Sequence, residues 1–453
     1  MSLMPNQATH IPSYLIIGLG QTGLSCVRFL VKLGYTVAVM DTREKPPGLV
    51  TLQTEYPEVI VHVGGLDSYW LEQADVIVIS PGVDPRLPEI VSAKAAGIEL
   101  VGDIELFARY ANAPIVAITG SNGKSTVTTL LAEMVEQSGQ TMRVGGNLGV
   151  PALDLICEPA PNFYIVELSS FQLETVMSLN AFAATVLNVS PDHLDRYDSV
   201  QDYQIAKARI FNGDGVMVIN RDDIIVSKLV RPGRNQIRFG LEASQGVDFG
   251  VIKQSGKQWL AEGDQALIAV EELKIVGKHN TANALAALAL GSAMGLSMTG
   301  MLAALKQYSG LPHRCRLVAE HKHIRWFNDS KATNVGASIA AIEGLEASGK
   351  IILIAGGEGK EQDFTALTTT LKQHVHAVIL IGKDGKLIAD VVPEDVDTYY
   401  AETMQDAVVK AQSIAKAGNC VLLSPACASF DMFSGYVERG NVFEKAVKAI
   451  AYE

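Results

Sequence analysis

The sequence predicts an α/β protein of three domains, each built on a mostly parallel β-sheet. Short apolar runs alternate with segments of helical periodicity along the 453 residues, a pattern typical of parallel strands joined by crossover helices. Glycine, proline or aspartate follows most of the apolar runs, where turns are expected. The length is compatible with two to four domains, and the pattern divides the chain into residues 4–102, 103–310 and 311–453.

The composition predicts a soluble cytoplasmic protein that binds neither nucleic acid nor membrane surfaces. Lys and Arg number 37 against 49 Asp and Glu, so the net charge is −12, which opposes non-specific binding to phosphate-rich surfaces. The five cysteines show no C-x-x-C pairing, so neither a zinc site nor a disulfide framework is indicated. The longest apolar helical run, Thr281–Leu296, is too short to span a bilayer.

The first unit contains a glycine-rich loop between a strand and a helix. Strands are predicted at Tyr14–Gly18, Thr36–Met40 and Val76–Ser80, and the loop Gly18–Gly23 fits the pattern G-x-G-x-x-G. Asp41 ends the next strand, where an acid can bind a ribose. The pattern predicts a Rossmann-like N-terminal domain and is compatible with NAD, FAD or another nucleoside diphosphate.

The second unit opens with a phosphate loop. The apolar strand Ile115–Ile118 leads into Thr119–Thr126, and helical periodicity follows at once. Backbone N–H groups of such a loop bind phosphate, Lys124 can reach the outer phosphates, and the hydroxyl of Ser125 or Thr126 can hold Mg²⁺. An isoleucine stands at the first glycine position of the motif, and a glycine-rich turn that binds nothing is the alternative. We predict a P-loop ATPase-like central domain that binds a nucleoside triphosphate.

A carboxylate ends a neighbouring apolar strand. The strand Phe163–Glu167 ends in Glu167, 43 positions after Lys124. Phosphoryl-transfer enzymes place a metal-orienting acid at the carboxyl end of a parallel strand. A strand-end residue without a metal is the alternative. With the phosphate loop nearby, Glu167 is predicted to orient Mg²⁺.

Further strands complete the second and third units. In the second, Ala184–Asn188 and Val216–Asn220 are followed by a polar, strand-like stretch and a last helix at Thr281–Leu296. The third unit is predicted to be a Rossmann-like C-terminal domain, with strands at Ile324–Asn328, Lys350–Ala355, Ala377–Ile381 and Cys420–Leu423.

An ordered series of motifs spans essentially the whole chain. It comprises Thr119–Thr126, Gly145–Asn147, Glu167–Gln172, Asn188–Asp195, Lys207, His279–Asn283, Pro312–Arg314, Asn328–Asn334, Gly356–Gly357 with Lys360, and Ser424–Ser429. With this series the chain closely resembles the Mur ligases of peptidoglycan synthesis.

The resemblance implies an ATP-dependent amide ligase that works through an acyl phosphate and a tetrahedral intermediate. It implies UDP-N-acetylmuramoyl-L-alanine and D-glutamate as substrates, Mg²⁺ or Mn²⁺ as the metal, and a monomeric enzyme. The D-glutamate assignment depends mainly on Asp329–Asn334 and Ser424–Ser429.

The resemblance also implies site residues for ATP and metal. Lys124, Glu167, His193 and Lys207 are the expected catalytic residues, with Lys207 carried as a carbamate that offers Mg²⁺ an anionic oxygen. The metal ligands are then expected to be Ser125, Glu167, His193 and the Lys207 carbamate. The expected ATP-binding residues are Gly120, Ser121, Asn122, Gly123, Lys124, Ser125, Thr126, Asn283, Arg314 and Asp329.

Two further sets are expected to bind the other substrates. The uridine nucleotide, its sugar and its lactyl-alanyl arm are assigned to Gly20, Gln21, Thr22, Asp41, Thr42, Arg43, Gly82, Asn147, Ser169 and His193. The two carboxylates of D-glutamate are assigned to Lys331, Thr333, Lys360, Ser429 and Tyr436.

Three alternatives are open on the sequence. A folylpolyglutamate-type or other Mur-type ligase adding a different amino acid would share the phosphate loop, but the former would lack the unit before residue 102. An NAD-dependent oxidoreductase would use Gly18–Gly23 and Asp41 but leave Lys124 and Glu167 unexplained. A non-catalytic nucleotide switch would not need three separate binding units.

Overall fold

Three β-sheets of five, nine and six strands organise the chain in the computed structural model, which describes residues 13–192, 196–345, 350–360 and 362–451. Most neighbouring strands are parallel, and helices connect them. The predicted α/β class with three sheet-based units is confirmed. Within the described ranges, none of the helices combines the length and the apolar composition needed to cross a bilayer.

The first sheet has the order β3-β2-β1-β4-β5 and is parallel throughout. Apolar side chains on both of its faces are buried against helices, which explains why its strands are continuous apolar runs. The elements are β1 Ser13–Ile17, α1 Gln21–Lys32, β2 Thr36–Asp41, α2 Leu49–Glu55, β3 Ile60–Val63, α3 Ser68–Gln73, β4 Val76–Ile79, α4 Pro88–Ala95, β5 Glu99–Gly102 and α5 Asp103–Tyr110.

The second sheet has the order β14-β13-β12-β11-β10-β9-β6-β8-β7. Its strands are parallel except for an antiparallel extension, β12 to β14, at one edge. The elements are β6 Ile115–Thr119, α6 Lys124–Gln137, β7 Met142–Gly146, β8 Phe163–Glu167, α7 Ser170–Leu173, β9 Ala183–Val186, α8 Val200–Ala208, β10 Val216–Asn220, α9 Ile224–Ser227, β11 Gln236–Phe239, β12 Phe249–Gln254, β13 Lys257–Glu262, β14 Gln265–Ala269, α10 Lys278–Ala293 and α11 Met298–Gln307.

The end of the second unit differs from the prediction. The helix predicted at Thr281–Leu296 is α10, which ends at Ala293 because Gly295 adopts a left-handed backbone with φ of +71°. A second helix, α11, then begins after Ser297, whose side chain accepts a hydrogen bond from Gly300 N–H. The prediction that α10 is the last helix of the unit is therefore wrong.

The third sheet has the order β15-β16-β20-β17-β18-β19, with only the β15–β16 pair antiparallel among these strands. Its elements are β15 Arg316–His321, β16 Ile324–Asn328, α12 Val335–Gly344, β17 Ile351–Gly356, α13 Leu367–His374, β18 Val375–Ile381, α14 Gly385–Ala389, β19 Asp397–Tyr400, α15 Met404–Ile414, β20 Cys420–Leu423 and α16 Tyr436–Ala451.

The sheet orders bring the predicted loops together. In the first sheet β1 lies between β2 and β4, in the second β6 lies between β8 and β9, and in the third β20 lies between β16 and β17. Each of these neighbouring pairs is parallel. The carboxyl ends of each trio therefore meet at one edge of its sheet, where α/β proteins bind ligands.

Candidate active site

The phosphate loop connects β6 to α6. Gly120 and Gly123 have φ values of +153° and +84°, which allow the backbone to turn around an anion. A Cβ at Gly123 would lie 2.4 Å from Oδ1 of Asn283, so α10 packs directly against the loop. Asn122 N–H donates to Asn188 Oδ1 at 2.8 Å, which fixes the loop to the end of β9. The loop is thus held by its two neighbours.

The Lys124 ammonium lies inside this loop. Its Nζ donates to the carbonyl oxygens of Gly120 at 2.8 Å and Ser121 at 3.0 Å. Desolvation lowers the pKa of Lys124, and the carboxylate of Glu167 partly opposes this shift. The cation is therefore placed where the outer phosphates of a nucleotide would lie.

Glu167 ends β8 next to the phosphate loop and is buried. Its Oε1 accepts a hydrogen bond from Asn147 Nδ2 at 2.6 Å. Its Oε2 is buried without a hydrogen-bond partner among the described residues. An unpartnered buried carboxylate oxygen beside a phosphate loop fits a hard divalent cation such as Mg²⁺.

Lys207 is a buried lysine of α8 at the same edge. Its Nζ donates to Gly120 O at 3.1 Å and to Thr119 Oγ1 at 3.4 Å, and lies 4.5 Å from the ring centroid of Tyr203. Burial, and after it the charge of Lys124, hold the pKa of Lys207 well below its ordinary value. Such a lysine carries an unprotonated amine more readily, and that form reacts with CO₂.

The remaining predicted metal ligands are only partly described. His193 lies outside the described residues. In the part of the chain that is described, no three His, Cys, Asp or Glu side chains cluster to hold a metal ion. A cation here would bind Glu167, Ser125 and a carbamate on Lys207, and nucleotide oxygens and water would complete its shell.

The predicted ATP residues of the third unit occupy different positions. Arg314 reaches the phosphate loop, where its Nη2 donates to Ser125 Oγ at 2.7 Å. Asp329 instead binds its own unit: Oδ1 accepts from Cys315 N–H at 3.0 Å and Oδ2 from Ser424 Oγ at 2.8 Å. Burial raises the pKa of Asp329 to about 7. Both carboxylate oxygens thus already have protein partners.

In the first sheet the predicted uridine residues lie at adjacent strand ends. Asp41 is buried, and its carboxylate accepts from Leu19 N–H at 2.7 Å and from the Arg43 side chain at 2.7 and 2.9 Å. Burial raises the pKa of Asp41, but these hydrogen bonds outweigh it and the pKa lies below its ordinary value. Asp41 thus holds the glycine-rich loop, whereas exposed positions at the same edge are Gln21, Thr42, Arg43 and Gly82.

Three loops of the third unit carry the residues assigned to D-glutamate. They follow β16, β17 and β20 and contain Lys331 with Thr333, Lys360, and Ser429, respectively. Lys331 Nζ lies 3.9 Å from the ring centroid of Tyr436, at the start of α16. Burial lowers the pKa of Lys331 to about 8, with the charges of Arg314 and Lys124 acting in the same direction. The ammonium of Lys331 is thus held against the Tyr436 ring, within the field of the charges at the phosphate loop.

Two residues that the sequence did not indicate tie these three loops together. Arg439 is fully buried and donates to Ser330 O at 2.8 Å, Ser330 Oγ at 3.0 Å, Cys427 O at 3.1 Å and Ala428 O at 3.2 Å. Gln362 donates to Gly359 O at 2.9 Å and Thr333 O at 3.5 Å. Lys360 is exposed, and its Nζ lies 5.9 Å from the Phe430 ring centroid.

The fold and these loops define a class of nucleotide-dependent α/β enzyme with ligand loops on three sheets. Three family profiles match the chain: "Mur ligase MurD-like, N-terminal domain" over residues 12–102, "Mur ligase middle domain" over 118–291, and "Mur ligase, glutamate ligase domain" over 313–427. Together they cover most of the sequence. The chain belongs to the Mur ligase family, as its motifs predict.

Close relatives cover nearly the whole chain. A UDP-N-acetylmuramoylalanine–D-glutamate ligase from Nitrosococcus oceani is 51% identical over 446 residues, 98% of each chain. The enzyme of the same name from Pseudomonas aeruginosa is 50% identical over 439 residues, 96% of this chain and 98% of the relative.

Solved structures of more distant proteins share the fold. The UDP-N-acetylmuramate-alanine ligase of Thermotoga maritima has a TM-score of 0.60 at 19% identity, covering 97% of this chain and 100% of that one. A pseudomurein peptide ligase type C from Methanothermus fervidus has a TM-score of 0.59 at 17% identity with the same coverage. At these identities the likeness extends to architecture alone.

Proposed function

We propose that this chain is an ATP-dependent ligase that joins D-glutamate to UDP-N-acetylmuramoyl-L-alanine. The observation that carries the proposal is the near full-length match, at about half identity, to relatives named for that reaction. The geometry supports a ligase because a desolvated Lys124 and a buried Glu167 lie at one phosphate loop. An NAD-dependent oxidoreductase would leave both residues without a role.

The reaction requires activation of a carboxylate. The carboxylate of the alanyl group attacks the γ-phosphorus of ATP, and ADP leaves with the bonding electrons. The amine of D-glutamate then attacks the acyl phosphate, loses a proton, and the tetrahedral intermediate expels inorganic phosphate. Because the substrates supply nucleophile and leaving group, the protein acts by positioning and by neutralising charge.

Each charged residue at the phosphate loop has a defined task in this scheme. Lys124 neutralises the outer phosphates, and Arg314 approaches the same phosphates from the third unit. A divalent cation bound by Ser125, Glu167, His193 and a Lys207 carbamate would supply Lewis-acid polarisation of phosphoryl oxygens. Asn283 packs against Gly123 and holds the loop in shape.

The other two substrates are assigned to the first and third units. The uridine nucleotide occupies Gly20, Gln21, Thr22, Asp41, Thr42, Arg43 and Gly82, and its sugar arm reaches Asn147 and Ser169. The D-glutamate carboxylates bind Lys331, Lys360, Thr333 and Ser429, next to Tyr436. The domain boundaries after residues 102 and 310, the monomeric state and the cytoplasmic location stay predictions, as does Mg²⁺ rather than Mn²⁺ as the metal.

Phosphate release tests the proposal. The purified chain is incubated with ATP, Mg²⁺, UDP-N-acetylmuramoyl-L-alanine and one amino acid of a panel, with L-glutamate, L-alanine and a dibasic amino acid beside D-glutamate. We expect release only with D-glutamate. Lys124→Ala should lower the rate at least about 100-fold, whereas the control Lys228→Ala, at an exposed lysine, should not. Faster release with another amino acid would refute the assignment.

A further inference from the structure

Asp103 is a buried carboxylate that the proposed chemistry leaves without a task. It is the first residue of α5, directly after the last strand of the first sheet, and is 3% exposed. Its Oδ2 accepts a hydrogen bond from Gln172 Nε2 at 2.9 Å. Its Oδ1 is buried and has no hydrogen-bond partner in the part of the chain that is described. Burying a carboxylate with only one of its two oxygens hydrogen-bonded costs free energy.

The hydrogen bond to Asp103 fixes the orientation of the Gln172 amide. A carboxylate only accepts, so the amide must turn its NH₂ group to Asp103 and its oxygen the other way. Gln172 Oε1 accordingly accepts from Ser169 N–H at 3.1 Å and from the Ser169 hydroxyl at 3.3 Å. Ser169 Oγ in turn accepts from Gln172 N–H at 3.1 Å, which completes a capping box at the start of α7.

This arrangement determines which chemistry the Ser169 hydroxyl can offer to a ligand. Its proton is donated to Gln172 and one of its lone pairs is occupied by Gln172 N–H. A hydroxyl has one proton and two lone pairs, so what remains is an acceptor. A ligand group that contacts Ser169 Oγ must therefore be a donor, such as an amide N–H.

Asp103 also lies where the first and second sheets meet. Together with Ser80 and Val83, which flank the loop position Gly82, it lines a cavity of about 10 Å³. Arg196 crosses the same junction, because its Nη2 donates to Val83 O at 3.1 Å and to Glu174 Oε2 at 2.9 Å. The carboxylate thus connects the edge assigned to the uridine nucleotide with the helix start assigned to its sugar arm.

We propose that Asp103 is a positioning residue for the nucleotide-sugar substrate: through Gln172 it keeps the Ser169 hydroxyl as an acceptor for an amide N–H of the sugar arm. UDP-N-acetylmuramoyl-L-alanine has two such groups, one on the acetamido substituent and one on the alanyl residue. The inference rests on the proposed function, because that function assigns Ser169 to this arm.

The test compares the full nucleotide-sugar substrate with UDP, which lacks the sugar arm. Calorimetry of Asp103→Ala with UDP-N-acetylmuramoyl-L-alanine should show about tenfold weaker binding than wild type, the effect of one lost hydrogen bond. Binding of UDP alone, which lacks the arm, should change less than about twofold. Asp103→Asn retains an acceptor for Gln172 Nε2 and should restore most of the affinity, a rescue that a purely structural role of the charge would not give.

Two further variants complete the design. Glu105→Gln is the matched control, because Glu105 lies in the same helix turn and accepts from Met177 and Ser178 N–H at 2.8 and 2.9 Å without reaching Ser169. It should lower the melting temperature without selectively weakening the binding of the full substrate relative to UDP. Gln172→Met, which removes the amide at similar length, replaces Asp103→Ala if that variant does not fold, and should give the same tenfold loss.

Three outcomes would overturn the inference. The first is that the variant without the Asp103–Gln172 hydrogen bond binds the full substrate as tightly as wild type. The second is that its affinity for UDP alone falls by the same factor as its affinity for the full substrate. The third is that Asp103→Asn binds the full substrate as weakly as Asp103→Ala. The proposed function fails separately, if wild type binds the substrate but releases no phosphate with D-glutamate. If wild type is active and the variants bind the full substrate as tightly as wild type does, the proposed function stands and only the role of Asp103 is refuted.

Discussion

At the scale of single residues, Lys207 is a lysine in a place that suits an anion better than a cation. It is buried next to a second lysine, Lys124, and both desolvation and that charge lower its pKa. A carbamate would remove the repulsion and add an oxygen ligand for a divalent cation. Whether Lys207 is an ammonium or a carbamate therefore determines the net charge next to the phosphate loop.

A small anion should partly rescue the activity of a variant that lacks the Lys207 side chain. Lys207→Ala is expected to lose at least about 100-fold in phosphate release, because an anionic ligand to the metal is lost. Formate or acetate in the assay should restore part of the rate by occupying the vacated position, whereas methylamine should not. Rescue by the amine would show that the residue acts as a cation, and full activity of Lys207→Gln would show that no charged group is needed at this position; either result contradicts the carbamate.

Lys331 predicts a pH dependence of D-glutamate binding. Burial lowers the pKa of Lys331 to about 8, so its ammonium is present below about pH 8 and is lost as the pH rises through that value. The apparent KM for D-glutamate should therefore rise above about pH 8 in wild type. Lys331→Arg keeps its charge over this range. Titration of the substrate amine affects both proteins equally, so the ratio of the wild-type KM to the Lys331→Arg KM reports the titration of Lys331 alone. A ratio independent of pH would contradict this role.

At the scale of elements, Arg439 stabilises the third unit by joining α16 to the loops after β16 and β20. Replacing it by methionine removes the donor from three acceptors, Ser330 O, Ser330 Oγ and Cys427 O, at about 1–3 kcal/mol for each buried group. Ala428 O keeps a hydrogen bond from Glu358 N–H at 3.0 Å. Arg439→Met should lower the free energy of unfolding by at least about 3 kcal/mol. Denaturant titration followed by Trp326 fluorescence, with Trp70 and Trp259 replaced by Phe, measures this because Trp326 is buried against Phe443 of α16.

The matched control lies on the same helix. Lys448 is 56% exposed and pairs with Glu444 at 3.7 Å, so Lys448→Met should change the free energy of unfolding by no more than about 1 kcal/mol. An Arg439→Met variant as stable as this control would mean that the loops are held by other contacts.

The elements also show what the sequence could predict. Strands with both faces buried, such as β6 and β8, leave continuous apolar runs, and glycines mark the loops after β1 and β6. The edge strand β7, the half-exposed strand β15 and the helix α11 have weaker hydrophobic patterns, and the sequence does not predict them. Arg439, Gln362 and Asp103 could not be identified because each contacts a segment far away in the chain, at Ser330, Thr333 and Gln172 respectively, and nothing near them in sequence signals these contacts. The protein partners of Asp329 were hidden for the same reason.

At the scale of the whole molecule, polar contacts join the third unit to the second. Asn334 Nδ2 donates to Asp192 Oδ2 at 3.1 Å, and His279 Nδ1 lies 3.1 Å from Ala340 O. Arg314 reaches Ser125 from the same side. A junction of this polar kind is expected to open and close. We expect the hinge at Leu311–Pro312, between the two units, because proline restricts the residue before it and helices usually end there.

Small-angle scattering tests this motion. An ATP analogue together with UDP-N-acetylmuramoyl-L-alanine should reduce the radius of gyration, because Arg314 and the loops after β16, β17 and β20 then close on the triphosphate. UDP alone is the control ligand, since its proposed site lies in the first unit, and should leave the radius unaltered. An equal radius with and without both ligands would indicate a rigid, preformed site.

The central claim is that this chain forms an amide bond to D-glutamate with phosphate as the leaving group. Mass spectrometry of the nucleotide product, from parallel reactions with D-glutamate and L-glutamate, tests it most directly. With D-glutamate we predict a product heavier than UDP-N-acetylmuramoyl-L-alanine by one glutamyl residue, formed in equal amount to the released phosphate. With L-glutamate the precursor should remain unchanged. ATP cleavage without such a product, or a glutamyl product formed equally from both enantiomers, would contradict the account.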